Sequence, residues 1–357
     1  MSRFFSSTKS ALVAYVPGEQ PQDMKYVKLN TNESPFPPSK KAIMKARKVA
    51  KRLQLYPDPE VKNLISLISK TVGVKEENVL TANGSDEVLN FIFMAFCDAQ
   101  RPAVFPDITY GFYPVFAKLN NVEYTEIPLA ENFEINVNDY VEINKNVFIA
   151  NPNAPTGIAL SIDEIELIVK SNPNNVVVID EAYVDFGGTS AIPLTEKYDN
   201  LIVVQTFSKS RSMAGARLGF CVANKEIIND LKTIKYSVNP YNVNTMTYAA
   251  GVGSLMDNAY TVKNCKKIIE NREFTIKTLY EFGFEVLPSL ANFIFCKSDK
   301  VSGETLYKEL KARGVLVRYF NKERIKDYIR VTIGTKAQMI TFIEKVIEIL
   351  EKYNENC

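Results

Sequence analysis

The residues of this 357-residue chain best suited to chemistry sit on four turns, each following a short apolar run. After Val79-Leu80-Thr81-Ala82 comes Asn83-Gly84-Ser85-Asp86-Glu87. There Gly84 permits a tight turn, Ser85 or Asp86 can cap, and the start of the helix EVLNFIFMAFC offers free N–H groups to a phosphate. After VFIA comes Asn151-Pro152-Asn153-Ala154-Pro155-Thr156-Gly157, a polar turn of restricted backbone. After VVVI comes Asp180-Glu181-Ala182-Tyr183, an acid leaving a fully apolar strand. After LIVVQTF comes Ser208-Lys209-Ser210, with Arg217 in AGARLGF a little further on. Taken singly, these are an N-capped turn, a capping acid and a solvated lysine. Taken together they supply an anion cradle, a buried acid, an amine nucleophile and a cation.

The elements that must position them alternate along the middle of the chain. Residues 61–72 have helical spacing, NVLTA is a short strand and EVLNFIFMAFC an apolar helix. Strand PAVF, a helix over Tyr113–Leu119, strand VEYTEIPL, strand NVFIA, helix DEIELIVKS, and strands NVVVID and NLIVVQTF follow. Continuous Val/Ile runs such as VVVID predict strands buried on both faces, as in a parallel sheet. Strands alternating with helices predict an α/β domain over residues 41–250, a mostly parallel sheet flanked by helices. From 251 to 357 a long charged helix (Asn258–Phe282), FEVLPSLANFIFCK, helix SGETLYKELKARG, strand VLVRYF, strand YIRVTIG and a last helix predict a smaller α+β domain. Residues 1–40, with SPFPPSKK, read as an arm joining that smaller domain.

Composition narrows the chemistry. Lysine plus arginine is 43 against 41 acidic residues, so no basic face for nucleic acid or a membrane surface is expected. There is no histidine, which removes Ser-His-Asp and Cys-His systems and histidine-ligated metals; no metal is expected. Proton transfer must come from Lys, Tyr, Cys, a carboxylate or a borrowed cofactor. Cys97, Cys221, Cys265, Cys296 and Cys357 are scattered without a Cys-x-x-Cys pair, as expected in a reducing compartment. No signal-peptide core and no run near 18 apolar residues is present, so a cytoplasmic location is expected.

The four turns match the needs of pyridoxal 5'-phosphate: a lysine for the covalent link, a carboxylate for the pyridinium nitrogen, and donors with a cation for the phosphate. In this order, DEAY, SK and the arginine of RLG resemble the fold-type I pyridoxal phosphate aminotransferases of class I and II. KLNTNES, FSKS with AGARLGF, and RVTIGT narrow the resemblance to the histidinol-phosphate branch. It runs from AYVPGE through LYPDPE, NGSDE, FPDITYGFYPVFA, NPNAPTG and IDEAYVDF to IRVTIGT, nearly the whole chain.

The resemblance implies that Lys209 carries the cofactor, Asp180 meets its ring nitrogen and Tyr183 lies near its phenolic oxygen, these three being the catalytic set. Gly84, Ser85, Asp86, Ser208 and Arg217 are implied at the phosphate and Tyr110 against the ring. Tyr56 of YPDP is implied at the phosphate of the other subunit's cofactor, hence a homodimer. Tyr15, Arg318 and Arg330 match substrate-anion contacts. The family pattern has asparagine directly before Pro-Thr-Gly, where this chain has Ala154, so Asn153 or Tyr183 alone must meet the ring oxygen. The implied reaction moves an amino group between L-histidinol phosphate and 2-oxoglutarate. The alternatives are a phosphothreonine decarboxylase or an aromatic aminotransferase of the same fold, or a non-catalytic pyridoxal phosphate binder.

Overall fold

The computed structural model describes residues 2–10 and 12–354, the side chain of Asn354 excepted; Cys357 lies outside the described residues. Its strands, in chain order, are β1 (Val27–Lys28), β2 (Val79–Ala82), β3 (Ala103–Pro106), β4 (Tyr124–Ile127), β5 (Asn146–Ala150), β6 (Val177–Asp180), β7 (Leu201–Thr206), β8 (Gly219–Ala223), β9 (Phe284–Val286), β10 (Phe293–Ser298), β11 (Val315–Leu316), β12 (Arg318–Tyr319) and β13 (Ile329–Thr332). The helices are α1 (Lys40–Val49), α2 (Lys62–Val72), α3 (Ser85–Phe96), α4 (Tyr113–Leu119), α5 (Ile162–Ser171), α6 (Lys225–Val238), α7 (Thr245–Leu255), α8 (Asn258–Glu281), α9 (Gly303–Ala312) and α10 (Lys336–Asn354).

The large sheet runs β2-β8-β7-β6-β5-β3-β4. All its pairings are parallel except those of β8, which is antiparallel to both neighbours. Because successive side chains point to opposite faces, each Val/Ile run feeds two cores. Val147, Ile149, Val177, Ile179 and Val203 pack with Leu64 and Ile68 of α2 and Ile165 and Ile168 of α5. Phe148, Val178, Ile202 and Val204 pack on the other face with Leu89 and Phe93 of α3 and Leu231 of α6. Helix α5 starts at a capping box in which Ser161 and Glu164 satisfy each other's backbone N–H groups.

A smaller antiparallel sheet, β12-β13-β10-β9, buries Phe293, Ile329 and Val331 with Leu306 and Leu310 of α9 and Phe342 and Val346 of α10. Strand β1 pairs in parallel with β11. The architecture is therefore α/β with a mostly parallel sheet between helices, plus a smaller α+β unit. Two details depart from the sequence pattern. The run VLVRYF divides at Val317, its first half pairing with β1 and its second with β13. GFCVA, taken only as part of a motif, is strand β8, inserted against the direction of its neighbours. Apolar periodicity specifies a strand but neither its partner nor its direction.

Candidate active site

Since β5, β6 and β7 are neighbours, the turns after them lie side by side at the carboxyl ends of the strands, where open parallel sheets collect ligands. Strand β8 packs so closely on the start of α3 that a Cβ on Gly219 would overlap the Gly84–Ser85 backbone. Gly84 itself has φ +91°, and a Cβ there would lie 2.5 Å from Nη2 of Arg217. The N-cap of α3 is Gly84, which has no side chain to cap with, so the first N–H groups of the helix are left turned to this corner. The result is a cavity of about 460 Å3 whose lining includes Ser85, Tyr110, Asp180, Tyr183, Lys209 and Arg217. The same Tyr110, Tyr183 and Lys209 also border a cleft of about 650 Å3 that reaches Tyr15, Arg318 and Arg330.

Asp180 is buried, accepting from the Tyr113 hydroxyl at 3.2 Å and from the Ala182 N–H at 3.2 Å. Burial pushes its carboxyl up to about 7. The hydroxyl of Tyr183 accepts from Nδ2 of Asn32 at 3.0 Å, and Nζ of Lys209 donates to the Thr31 carbonyl at 3.3 Å. Thus KLNTNES supplies two neighbours of the site, Thr31 and Asn32, that sequence reasoning did not assign; nor did it assign Tyr113. The signal for the first two was the motif itself. Tyr113 had none, because its hydroxyl meets a carboxylate 67 residues away.

Asp86 accepts from the Tyr110 hydroxyl at 2.6 Å and from Nη2 of Arg217 at 2.8 Å, while Nη1 of Arg217 faces Ser208 Oγ at 3.4 Å. Its carboxylate is an acceptor only, so what Asp86 can offer a phosphate is its backbone N–H. Asn153 is not brought to the cavity by its carboxamide. That group donates to the Ile108 carbonyl at 2.9 Å and Thr156 Oγ1 at 3.1 Å, and accepts from Thr109 Oγ1 at 2.8 Å. These bonds tie Asn153 to the loop after β3 and to Thr156 of its own turn, and Ala154 rather than Asn153 lines the cavity. Tyr56 is also away from this cavity, 81% exposed and stacked on Tyr241 at 4.5 Å.

Tyr15 stacks on Phe112 at 4.1 Å at the cleft mouth. Arg318 and Arg330 are directly opposed across β12 and β13. Arg318 donates to the Val16 and Pro17 carbonyls at 3.2 and 3.3 Å. Arg330 donates to the Asn30 carbonyl at 3.2 Å, and its Nε has no partner among the described residues. Burial drives the Arg330 guanidinium below its usual range. Two like charges opposed on a sheet repel, and Arg330 is half-buried and part-satisfied, a pair that a shared anion would relieve.

The buried acid also makes a pH prediction. The folded protein without cofactor keeps Asp180 protonated to about pH 7, whereas an unfolded aspartate ionises near 3.8. Between those values the folded state holds a proton that the unfolded state has lost, so this group's contribution to stability falls as pH rises and levels off above 7. Asp180→Asn removes that slope. The melting temperature of the cofactor-free variant should therefore gain on the parent from pH 4 to 8; a constant difference across that range would contradict the burial of an uncompensated charge.

Among the described residues no group of three or more acids or cysteines could hold a metal, and no helix is long and apolar enough to cross a membrane. Residues 24–346 match the family Aminotransferase class I and II. A histidinol-phosphate aminotransferase of Brachyspira hyodysenteriae is 47% identical over 98% of this chain and 100% of its own length. The crystal structure of histidinol-phosphate aminotransferase from Sinorhizobium meliloti, in complex with pyridoxal-5'-phosphate, superimposes with a TM-score of 0.89 at 21% identity, covering 99% of both chains. That of L-threonine-O-3-phosphate decarboxylase from Porphyromonas gingivalis follows at 0.80 and 22%, covering 91% of this chain and 99% of its own, so fold alone does not separate the two reactions. The family match and the 47% identity to a histidinol-phosphate aminotransferase, over nearly the whole of both chains, show the family: the chain belongs to the class I and II aminotransferases, in the histidinol-phosphate aminotransferase branch.

Proposed function

We propose that this chain is a pyridoxal 5'-phosphate-dependent transaminase of histidine biosynthesis. It moves the amino group of L-histidinol phosphate to 2-oxoglutarate, giving imidazole-acetol phosphate and glutamate. The observation that carries the reading is the opposed Arg318–Arg330 pair at the cleft that leads to Lys209.

The donor set fits the cofactor. The free N–H groups at the start of α3, with Ser208 and Arg217, suit a phosphate; a Cβ at Gly84 would fill part of that cradle. Lys209 would hold the aldehyde carbon, Asp180 the ring nitrogen, Tyr110 a ring face, and Tyr183, steadied by Asn32, the ring oxygen. When bound, the cofactor supplies an electron sink for charge developing at the substrate α-carbon. Asp180 would exchange its burial penalty for a charge-assisted bond to a pyridinium N–H. Lys209 Nζ would take and return the α-proton, a duty no histidine is there to perform. Arg318 and Arg330 would receive the phosphate of one substrate and the carboxylates of the other, and Tyr15 would close the mouth.

Two assays test the reaction: amino transfer from histidinol phosphate, and carbon dioxide release from phosphothreonine. Transfer without release supports the reading; release without transfer overturns it. The wild-type protein should prefer histidinol phosphate to histidinol by at least about 10²-fold in kcat/KM, the scale on which a buried charged site left unpaired discriminates. Equal rates on the two amino alcohols would remove the phosphate from the recognition scheme.

The same reading makes the protein a cytoplasmic homodimer. Tyr56 is held on a Pro-flanked arm, pinned where the buried Lys235 donates to the Pro59 carbonyl at 3.0 Å. Such an arm suits reaching a partner's cofactor phosphate better than filling its own core. Mixing inactive Lys209→Ala with inactive Tyr56→Ala should restore part of the activity, since each heterodimer regains one intact site. Failure to recover after demonstrated subunit exchange would count against a shared site.

A further inference from the structure

A second cavity of about 630 Å3, close to the volume of the substrate cleft, lies between α2, the turn after Tyr183 and the first turns of α8. It shares no lining residue with the cleft and only Thr206 with the cofactor cavity. Its walls are largely apolar, with Ile68, Phe220 and Leu255 among them, and charged groups meet there. Arg211 bonds Asn258 Oδ1 through Nη2 at 3.1 Å, while its buried Nη1 has no partner among the described residues. Lys266 lines the same space and makes no ion pair among the described residues. Asp185 is the one carboxylate in the lining and makes no salt bridge to Arg211 among the described residues.

Arg211 is half-buried, and burial holds its guanidinium below its usual range although the nearby Asp185 carboxylate opposes that shift, so a second anion on it would be favourable. An apolar cavity of several hundred Å3 with a few converging polar groups is the general form of a small-molecule site. We propose that this cavity is a second ligand site, taking a small organic anion with an apolar body whose acid group lies on Arg211 and Lys266. Arg211 follows Lys209 by two residues, so the ligand touches the loop that carries the cofactor lysine.

The chain contains no tryptophan, so Val262→Trp, at an exposed position of the lining, gives a single fluorescent reporter in the cofactor-loaded protein. The probe is 4-iodobenzoate, whose iodine quenches indole on contact. Quenching should saturate. Arg211→Met in that background should raise the half-saturating concentration about tenfold or more, and Arg211→Lys by much less, since a charged donor is kept. Should Arg211→Met not fold, Lys266→Glu serves, because a carboxylate at the rim must weaken binding. Arg330→Ala should leave the half-saturating concentration where it is. Linear, unsaturable quenching, a value unmoved by Arg211→Met and Lys266→Glu, or one moved instead by Arg330→Ala would overturn the proposal.

Discussion

Lys209→Ala should lose amino transfer by a factor on the order of 10⁴ or more, since a positioned acid–base group alone contributes about 10²–10⁴ and here the covalent anchor goes with it. The fold does not depend on this side chain. Among the described residues its Nζ makes one hydrogen bond, to the Thr31 carbonyl, and lies 5.7 Å from the Tyr183 ring centroid. The variant should therefore melt close to the parent without cofactor while forming no borohydride-reducible link to it. Lys209→Arg should fail equally, because a guanidinium stays protonated and cannot make that link. A reducible link surviving in Lys209→Ala would place the anchor on another residue.

Asp180→Asn should lower the rate by about 10²-fold or more with cofactor still bound, the scale of removing one preorganised charge from a buried site. The substitution separates charge from shape. The two bonds use different oxygens: the remaining amide oxygen can keep the Ala182 N–H, and the new NH2 group can donate to the Tyr113 hydroxyl, so the turn after β6 keeps its geometry. What disappears is the negative charge that holds a proton on the ring nitrogen and lets the ring absorb carbanion charge. Near-normal turnover by Asp180→Asn, with cofactor occupancy confirmed by absorbance, would remove the carboxylate from the mechanism. Tyr113→Phe is the natural companion, since it takes away a donor that favours the ionised form while leaving the charge in place.

The sequence by itself determined the alternation of strands and helices from α2 to β7, the buried strands among them and the residue types waiting at their carboxyl ends, but not α1, β8, α6 or α7. Those signals are local: a Val/Ile run, a capping residue or a Pro-rich turn acts within a few positions of where it is written. Lys209, Asp180 and Arg217 could be singled out as candidates for that reason, and the absence of histidine is a fact of the sequence alone. Tertiary structure alone decided which groups meet. Strand β8 turns back against its neighbours and delivers Arg217 to Asp86, 131 residues earlier. Asn32 reaches Tyr183 across 151 residues, and the register of β12 on β13 sets Arg318 opposite Arg330. Asn153 shows the converse, a residue of suitable type in a suitable turn whose carboxamide bonds Ile108 and Thr109 of another loop. Side-chain direction at a turn depends on backbone dihedrals and on whatever packs against it, and strand partners depend on which distant edges bury most surface, so neither is written in local spacing.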